Sequence, residues 1–352
     1  MNYDRDNPLG LDGFAFVEFT SADPAAMKTT LELFGFAGAA RHPTKAATLY
    51  TQGRINLVVN EEPSGQVADF RAQHGPSANG MAFKVAAPEY AYKEALRRGA
   101  KAGDPARSLL GPSARVLEGI GGSYLYLVGA GQAFADWEPI PGAAEAAAAN
   151  RVGLLQLDHL THNVRRGEMR TWSEFYRQIF GFDEQKYFDI KGQATGLFSQ
   201  AMIAPDGAIR IPLNESQDDK SQIEEFLREY NGEGIQHLAF TTDDIYGTVE
   251  TLRARGLVLQ DTIETYYELV DERVPGHGED LDRLRRNRIL IDGDVSREGV
   301  LLQIFSNNLF GPIFFEIIQR KGNQGFGNGN FQALFESIEL DQIRRGVITV
   351  DA

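Results

Sequence analysis

The chain has 352 residues, a length that about two domains would account for, and its 42% hydrophobic and 24% charged residues are ordinary for a globular protein. It contains no cysteine, which excludes disulfide bonds, thiolate metal sites and a cysteine nucleophile. The formal net charge of −14 argues against a nucleic-acid partner, because phosphate binding requires a basic surface. The first residues lack the apolar core of a signal peptide, and no run of about 18 uncharged apolar residues occurs, so we expect a cytoplasmic protein.

Short segments rich in β-branched and aromatic residues predict the strands. In the first half these segments lie at residues 14–19, 48–59, 81–85 and 124–128, and a helix is predicted at 24–34. An alanine-rich tract within residues 140–152 predicts a linker that can be helical. The second half has a predicted helix at 169–180 and predicted strands at 155–164, 196–204, 209–213, 237–241, 289–292, 300–305 and 314–319. Beyond residue 331, apolar residues at nearly helical spacing predict a C-terminal helix.

The chain repeats itself once. Residues 11–13 (LDG) resemble 157–159 (LDH), and the FGF triplet at 34–36 recurs at 180–182, both at a distance of 146 residues. Residues 80–83 (GMAF) resemble 237–240 (HLAF) at a distance of 157 residues. We therefore predict two homologous modules of mixed α+β structure, each ordered as strand, helix, strands, strand, helix, strands.

Two of the six histidines, His159 and His237, fall at strand positions where the first module has Gly13 and Gly80. A matched pair of imidazoles in one repeat and none in the other favours a functional site over two core histidines. Two imidazoles need a third metal ligand, which must be an oxygen in a chain without cysteine. Two histidines and one carboxylate with open positions are typical of non-haem Fe(II) oxygenases.

Glu316 is the candidate for the third ligand. It is the only carboxylate in the apolar strand at 314–319, and its neighbours on the same face, Phe314 and Ile318, are apolar. Burying an unpaired carboxylate is costly, so this side chain should be paired or should coordinate a cation. The alternative is that Glu316 lies at a strand end on a solvent-exposed face.

Two further histidines lie outside the candidate site, and one of them, His162, is interpreted as structural. On a strand, His162 points to the face opposite His159. His277 lies in a Pro-Gly-His-Gly turn and is predicted to be exposed. Candidate pocket walls are Gln303 and Phe305, which share one face of the strand at 300–305.

Several segments of the second half together resemble the 4-hydroxyphenylpyruvate dioxygenase family. The resemblance covers essentially the whole chain, but the specific motifs lie in the second half. These motifs are 158–164 (DHLTHNV), 212–215 (PLNE), 234–239 (GIQHLA), 302–305 (LQIF), 315–320 (FEIIQR) and 325–331 (GFGNGNF), followed by Leu334 and Phe335.

The resemblance implies a vicinal-oxygen-chelate fold with two domains of paired βαβββ units that form incomplete barrels. It implies a metal-free domain at 1–139, a linker at 140–152, and a catalytic domain at 153–352 with a lid helix at about 331–346. His159, His237 and Glu316 match the family's iron ligands, one Fe(II) per subunit. The implied pocket residues are Ser199, Asn214, Gln222, Gln236, Gln303, Phe305, Phe314, Phe326, Asn330 and Phe331.

The implied reaction converts 4-hydroxyphenylpyruvate, a 2-oxo acid, and O2 to homogentisate and CO2 in tyrosine and phenylalanine catabolism. The implied assembly is a homotetramer, and no membrane or nucleic-acid partner is expected. Three alternatives stay open. A 4-hydroxymandelate synthase shares the ligands and substrate but oxidises the benzylic carbon, and an extradiol ring-cleaving dioxygenase uses the same trio on a catechol. A non-enzymatic binding module would not need the three ligands.

Overall fold

In the computed structural model of the chain, the described residues are 7–191, 196–330 and 332–333. They form two eight-stranded sheets, one from each half of the chain, and each sheet mixes parallel and antiparallel neighbours. Helices connect the strands and pack against the sheets. The mixed α+β fold predicted from the sequence is therefore confirmed.

The described part of the first half contains these elements, in chain order: β1 (Leu11–Thr20), α1 (Pro24–Leu33), β2 (Ala37–Arg41), β3 (Ala47–Gln52), β4 (Ile55–Asn60), α2 (Gln66–His74), β5 (Ser77–Val85), α3 (Pro88–Arg97), β6 (Val116–Glu118), β7 (Tyr124–Val128) and β8 (Glu138–Pro139). The segment between the halves forms α4 (Ala143–Asn150). The second half contains β9 (Leu154–Val164), α5 (Met169–Phe180), β10 (Asp183–Lys191), β11 (Gly196–Ile203), β12 (Arg210–Ser216), α6 (Gln222–Glu229), β13 (Gly234–Thr242), α7 (Ile245–Ala254), α8 (Glu264–Glu268), α9 (Val270–Arg273), α10 (Leu281–Asn287), β14 (Leu290–Asp294), β15 (Gly299–Phe305) and β16 (Phe314–Lys321).

The two sheets have the same strand arrangement. The first has the order β6-β7-β5-β1-β4-β3-β2-β8, and the second, written in the matching direction, β14-β15-β16-β13-β9-β12-β11-β10. Strand β1 is parallel to β4 and antiparallel to β5, and β9 has the same relation to β12 and β13. Among the described strands, β8 and β14 alone lack a counterpart in the other sheet. The internal repeat is therefore confirmed at the level of topology.

The sheet register corrects one part of the predicted alignment. His159 on β9 lies opposite Ala239 on β13, whereas Phe16 on β1 lies opposite Ala82, the counterpart of Ala239. The residue equivalent to His159 is therefore Phe16, and the predicted match to Gly13 is wrong. The reason is that the stretch from this position to the FGF triplet is three residues longer in the second half, which the short LDG and LDH motifs conceal.

Some strands differ from the sequence prediction. The segment predicted as one strand at 48–59 is a hairpin of β3 and β4, with Gln52 paired to Ile55. Strands β2 and β10 lay outside the predicted set, because AGAAR and DEQKYFDIK lack the β-branched runs by which the other strands were assigned. Strand β10 lies at an edge of its sheet, where charged residues are common.

The two halves share one aromatic core in which Phe315 on β16 is central. Its ring, fully buried, meets Phe34 and Phe240 edge-on at 5.0 Å between ring centroids, and Phe19 at 6.3 Å. Phe19 and Phe34 belong to the first half of the chain. Strand β16 therefore ties the second sheet to the first half through one of its two faces.

Helix α4 lies within the predicted linker, and its run of alanines has the highest helix propensity of any residue type. Its last residue, Asn150, contacts both halves. The Asn150 side-chain amide donates to the carbonyls of Glu32 and Phe36 at 2.8 Å, and Arg255 donates to the Asn150 carbonyl at 2.8 Å. The helical option for this linker is confirmed.

The interior of the first sheet contains a buried polar cluster around Glu18 on β1. The Glu18 carboxylate accepts hydrogen bonds from the Asn60 amide at 2.7 Å, the Asn79 amide at 2.8 Å and the Tyr126 hydroxyl at 3.0 Å. A Cβ on Gly80 would lie 3.0 Å from Glu18 Oε2, so a side chain at position 80 would crowd this cluster. A hydrogen-bonded polar cluster thus occupies this part of the first sheet, where the second sheet has the predicted metal ligands.

Three positions of the first sheet correspond to the predicted metal ligands. Phe16 and Gly80 take the places of the two histidines, and Tyr126 takes the place of Glu316, since Tyr126 pairs with Ala82 and Glu316 with Ala239. Phenyl and phenol groups are not ligands for a cation of this kind in their neutral form.

Replacing Glu18 by glutamine tests how burial acts on this cluster. Burial raises the pKa of Glu18, although its hydrogen bonds oppose the rise. A carboxyl group whose pKa is higher in the folded than in the unfolded chain stabilises the fold at pH values below its unfolded-state pKa. This contribution is lost as the pH rises through the folded-state pKa. Because the amide can accept from both asparagines and donate to Tyr126, we expect E18Q to fold and to gain stability relative to the unmutated protein as the pH rises. Urea unfolding from about pH 4.5 to about pH 8 measures the difference, and a difference that does not change with pH would contradict the expectation.

Candidate metal centre

Three adjacent strands of the second sheet, β9, β13 and β16, bring His159, His237 and Glu316 together. Glu316 pairs with Ala239, two residues after His237, so the two side chains point to the same face of the sheet. Glu316 Oε2 lies 3.2 Å from His159 Nε2 and 3.4 Å from His237 Nε2. All three residues are buried. This trio, predicted from the sequence, can hold a metal ion.

The donor set fits a cation. Glu316 Oε1 is buried and has no hydrogen-bond partner among the described residues, which is costly unless a ligand supplies one. Burial alone would raise the pKa of Glu316, but His159 and His237 lower it to about 2, so the carboxylate is anionic. Burial lowers the pKa of His237, which favours the neutral imidazole that metals bind. Burial alone would lower the pKa of His159, but the neighbouring carboxylates of Glu316 and Asp158 outweigh burial and raise it.

Each of the two histidines is held at its outer nitrogen by the residue that precedes it. His159 Nδ1 donates to Asp158 Oδ2 at 2.8 Å, and His237 Nδ1 donates to Gln236 Oε1 at 3.0 Å. Both partners occupy β-bulges, where the pairing of β9 with β13 skips one residue. A bulge breaks the alternation of faces, which explains how Gln236 reaches a histidine from which simple alternation would turn it away. Such outer hydrogen bonds fix the tautomer and orientation of metal-binding histidines.

Asp158 is itself paired with Arg320, four residues after Glu316. Burial would raise the pKa of Asp158, but hydrogen bonds from Arg320 and His159 hold it well below its usual range. The sequence reasoning did not assign a role to either residue. The available signals were a carboxylate directly before a ligand histidine and an arginine on the same face of the strand as Glu316.

Thr161, on the same strand as His159, was also not predicted as a functional residue. Its hydroxyl lies 3.0 Å from His237 Nε2. Because His237 Nδ1 donates to Gln236, Nε2 carries the lone pair and accepts this hydrogen bond. Nε2 is also the atom that lies 3.4 Å from Glu316 Oε2, so it is the nitrogen that a metal would use.

Three of the predicted pocket phenylalanines lie next to the histidines. The Phe314 ring is stacked on His237, with 4.8 Å between centroids and an angle of 18° between planes. Phe305 meets Phe314 edge-on at 5.9 Å, and Phe326 meets His159 edge-on at 5.2 Å. These rings give the metal centre an apolar border.

Gln303 on β15 is buried against the segment that follows β16. Its Oε1 has no partner among the described residues. A Cβ on Gly327 would overlap Gln303 Oε1, and Gly327 has a φ of +72°, so this position requires glycine on both grounds. The close approach fixes the path of the segment over the Gln303 amide.

The remaining predicted pocket residues occupy several elements. Ser199 on β11 lies directly opposite Asn214 on β12. Gln222 is the exposed first residue of α6, and its role stays a prediction. Asn330 is buried, and its Oδ1 accepts a hydrogen bond from the Tyr266 hydroxyl at 2.7 Å.

The predicted lid helix at 331–346 lies almost entirely outside the described residues. Helical backbone begins at residue 328 and includes residues 332–333. Phe331 and residues 334–346 are not among the described residues, so the lid stays a prediction.

Two other histidines, His162 and His277, have structural partners. His162 is fully buried, its Nε2 lies 2.6 Å from the Tyr176 hydroxyl, and burial lowers its pKa to about 3. Its predicted structural role is confirmed by this contact. The prediction that His277 is exposed is wrong, because its side chain is only 6% exposed. His277 Nε2 lies 2.9 Å from Asp271 Oδ1, and its Nδ1 accepts from the Glu279 backbone amide at 2.9 Å.

The described residues include no helix that is both long enough and apolar enough to span a membrane. Two family models match the chain. The model for the N-terminal part of hydroxyphenylpyruvate dioxygenase matches residues 5–136, and that of the glyoxalase, bleomycin resistance protein and dioxygenase superfamily matches residues 156–270. The second match confirms the predicted superfamily of the fold.

Relatives that match nearly the whole chain carry several different names. The 4-hydroxyphenylpyruvate dioxygenase of Pseudomonas aeruginosa is 55% identical, with 98% of each chain covered. A Vibrio vulnificus protein named hemolysin VllY is 56% identical, with 98% of this chain and 99% of the relative covered. Among solved structures, a mutant of 4-hydroxymandelate synthase from Streptomyces coelicolor matches with a TM-score of 0.80 and 28% identity, over 95% of this chain and 99% of that one. The chain therefore belongs to the 4-hydroxyphenylpyruvate dioxygenase family.

Proposed function

We propose that the protein is an Fe(II)-dependent dioxygenase, with one iron per subunit, that converts 4-hydroxyphenylpyruvate and O2 to homogentisate and CO2. The observation that carries the proposal is the buried trio of His159, His237 and Glu316, in a chain 55% identical to a protein named for this activity. His159, His237 and Glu316 would hold Fe(II), and the bound ion would supply the oxygen chemistry for a 2-oxo acid and O2. The substrate loses its carboxylate as CO2, one oxygen atom enters the new carboxylate and the other the ring, and the side chain moves to the neighbouring ring carbon.

The residues around the trio orient the substrate and exclude water. Phe314, already stacked on His237, offers its ring for offset stacking with the aromatic substrate, together with Phe331, and each such pair is worth about 0.5–1.5 kcal/mol. We assign the remaining pocket roles as follows: Ser199, Asn214 and Gln222 bind the phenol hydroxyl, Gln236 holds His237, and Gln303, Phe305, Phe326 and Asn330 enclose the site.

Within this proposal, residues 1–139 form a metal-free domain, 140–152 a linker and 153–352 the catalytic domain. Phe16, Gly80 and Tyr126 at the positions of the three ligands support the assignment of the first domain as metal-free. We also propose the homotetramer that the family resemblance implies, which sedimentation equilibrium tests.

A second candidate function is that of a 4-hydroxymandelate synthase, which the structural match to that enzyme favours. Product analysis separates the candidates. With 4-hydroxyphenylpyruvate, Fe(II) and O2, we expect homogentisate and CO2 in equal amounts, with one O2 consumed per homogentisate formed. The product 4-hydroxymandelate would support the second candidate. Failure to turn over this substrate, with ring cleavage of a catechol instead, would identify an extradiol enzyme.

A further inference from the structure

The guanidinium of Arg320 lies behind the metal centre, between a ligand histidine and the segment that follows β16. We infer that Arg320 is a positioning residue: it holds the ring of His159, through Asp158, and the backbone of residues 323–327 in one fixed relation. This inference rests on the proposed metal site. Arg320, which is not one of the predicted metal ligands, would then link the metal affinity of the site to the position of the Phe326 ring.

Towards His159, Arg320 donates two parallel hydrogen bonds to the Asp158 carboxylate. Arg320 Nε lies 2.8 Å from Asp158 Oδ1, and Nη2 lies 2.7 Å from Oδ2. The same Oδ2 accepts from His159 Nδ1 at 2.8 Å. Both side chains are largely buried, at 11% and 3% exposure, so solvent screens this charge-assisted pair little. The orientation of the imidazole therefore depends on where the guanidinium holds the carboxylate.

Towards residues 323–327, the other terminal nitrogen of Arg320 donates to backbone carbonyl groups. Nη1 donates to the carbonyl of Asn323 at 3.0 Å and to that of Gly325 at 2.7 Å. The guanidinium carbon also lies 5.9 Å from the centroid of the Phe326 ring, which forms a T-shaped pair with the His159 ring. One planar group thus fixes both the turn at 323–325 and the ring that follows it.

No other described side chain makes the same set of contacts. Arg210 approaches Asp158 Oδ1 only at 3.5 Å and donates to the side chain of Gln324 at 2.7 Å. If Arg320 is lost, the buried carboxylate keeps Arg210 as its cationic partner, and we expect Asp158 to shift towards it and to hold His159 less well. A lysine cannot replace Arg320, because an ammonium on a flexible stem cannot satisfy the carboxylate and two carbonyls in one plane.

The first measurement is metal affinity. Anaerobic titration with Fe(II), and with Co(II) as a spectroscopic probe, is compared for the unmutated protein, R320Q, R320K, D158N and the double variant R320Q/D158N. We expect R320Q to weaken binding about 10- to 100-fold, as for other outer partners of ligand histidines, and R320K to restore only part of the loss. Because Arg320 acts through Asp158, the double variant should be no weaker than the weaker single variant. R71Q, which removes an arginine that binds Thr20 and a backbone carbonyl in the first half of the chain, is the matched control and should bind as the unmutated protein does.

The second measurement is amide hydrogen exchange over residues 322–327 in the metal-free protein. We expect faster exchange there in R320Q, with little change in D158N, since the two carbonyl contacts do not involve Asp158. R320Q that binds Co(II) as tightly as the unmutated protein, losses that add in full in the double variant, or unchanged exchange would each overturn the inference. If R320Q does not fold, R320K provides the same comparison. Failure of the unmutated protein to bind either metal would instead overturn the proposed function.

Discussion

Replacing Glu316 by alanine is expected to abolish metal binding and turnover while the chain stays folded. The variant leaves two imidazoles and no anionic oxygen, so the cation loses its only charged ligand. The loss of affinity should exceed the about 10- to 100-fold that removal of an outer partner costs. Metal analysis after anaerobic reconstitution should give about one Fe(II) per chain for the unmutated protein and nearly none for E316A. This result would also exclude a second tight site in the first half.

The matched control is His162→Ala. His162 is as deeply buried as the ligands and lies on the same strand as His159, but its contact is the Tyr176 hydroxyl. We expect this variant to be less stable, because the buried hydroxyl loses its partner, and still to bind iron. Iron lost from the His162 variant and retained by E316A would show that the ligand assignment is wrong.

Replacing Phe315 by alanine is expected to produce the largest loss of stability of any change considered. The side chain is fully buried and packs edge-on against aromatic rings of both halves, so its removal should cost about 3–5 kcal/mol in free energy of unfolding. Urea unfolding of the metal-free protein measures this cost. The metal affinity of the folded variant should change little, because its ring points away from the ligand trio.

Phe314→Ala is the control for this prediction, since it is the preceding residue on the same strand but on the opposite face. Its ring is stacked on His237 and only partly buried. We expect a smaller loss of stability and a large loss of homogentisate formation. If the two variants lose equal stability, or if Phe315→Ala is the one that impairs the reaction in folded protein, the assignment of the two faces of β16 is wrong.

The sequence was sufficient to predict the features that depend on local pattern. The β-branched strands, the helix at Met169–Phe180 and the alanine-rich helix between the halves follow from residue type and spacing. The equivalence of Gly13 and His159 failed because it relied on a three-letter motif, and a change in length between the first strand and the end of the first helix is not visible from such a motif. Only the pairing of strands shows that Phe16 takes that position.

The grouping of His159, His237 and Glu316 could be predicted because two histidines and a carboxylate in apolar strands are costly to bury unless they bind a cation or one another. The hydrogen bonds that support these three residues could not be predicted from the sequence, because they depend on bulges and on contacts between distant segments. Asp158 and Gln236 lie in bulges, where the alternation of faces on which strand reasoning depends is interrupted. Arg320 acts across a distance of 162 positions in the chain, and nothing in its own strand indicates that Asp158 is its partner.

Strand order has a consequence for the order in which the site can be assembled during synthesis. Strand β16 is the last strand among the described residues, yet it lies between β13 and β15 in the sheet. A nascent chain that has not reached Glu316 can present both histidines, but it has no carboxylate beside them, and β13 and β15 have unpaired edges where β16 belongs. In the folded protein β16 fills this gap, contributes Glu316 to the trio and places Phe315 in the core. Under the proposed function, metal capture therefore requires translation past β16, and a prematurely terminated product that lacks Glu316 has no complete site.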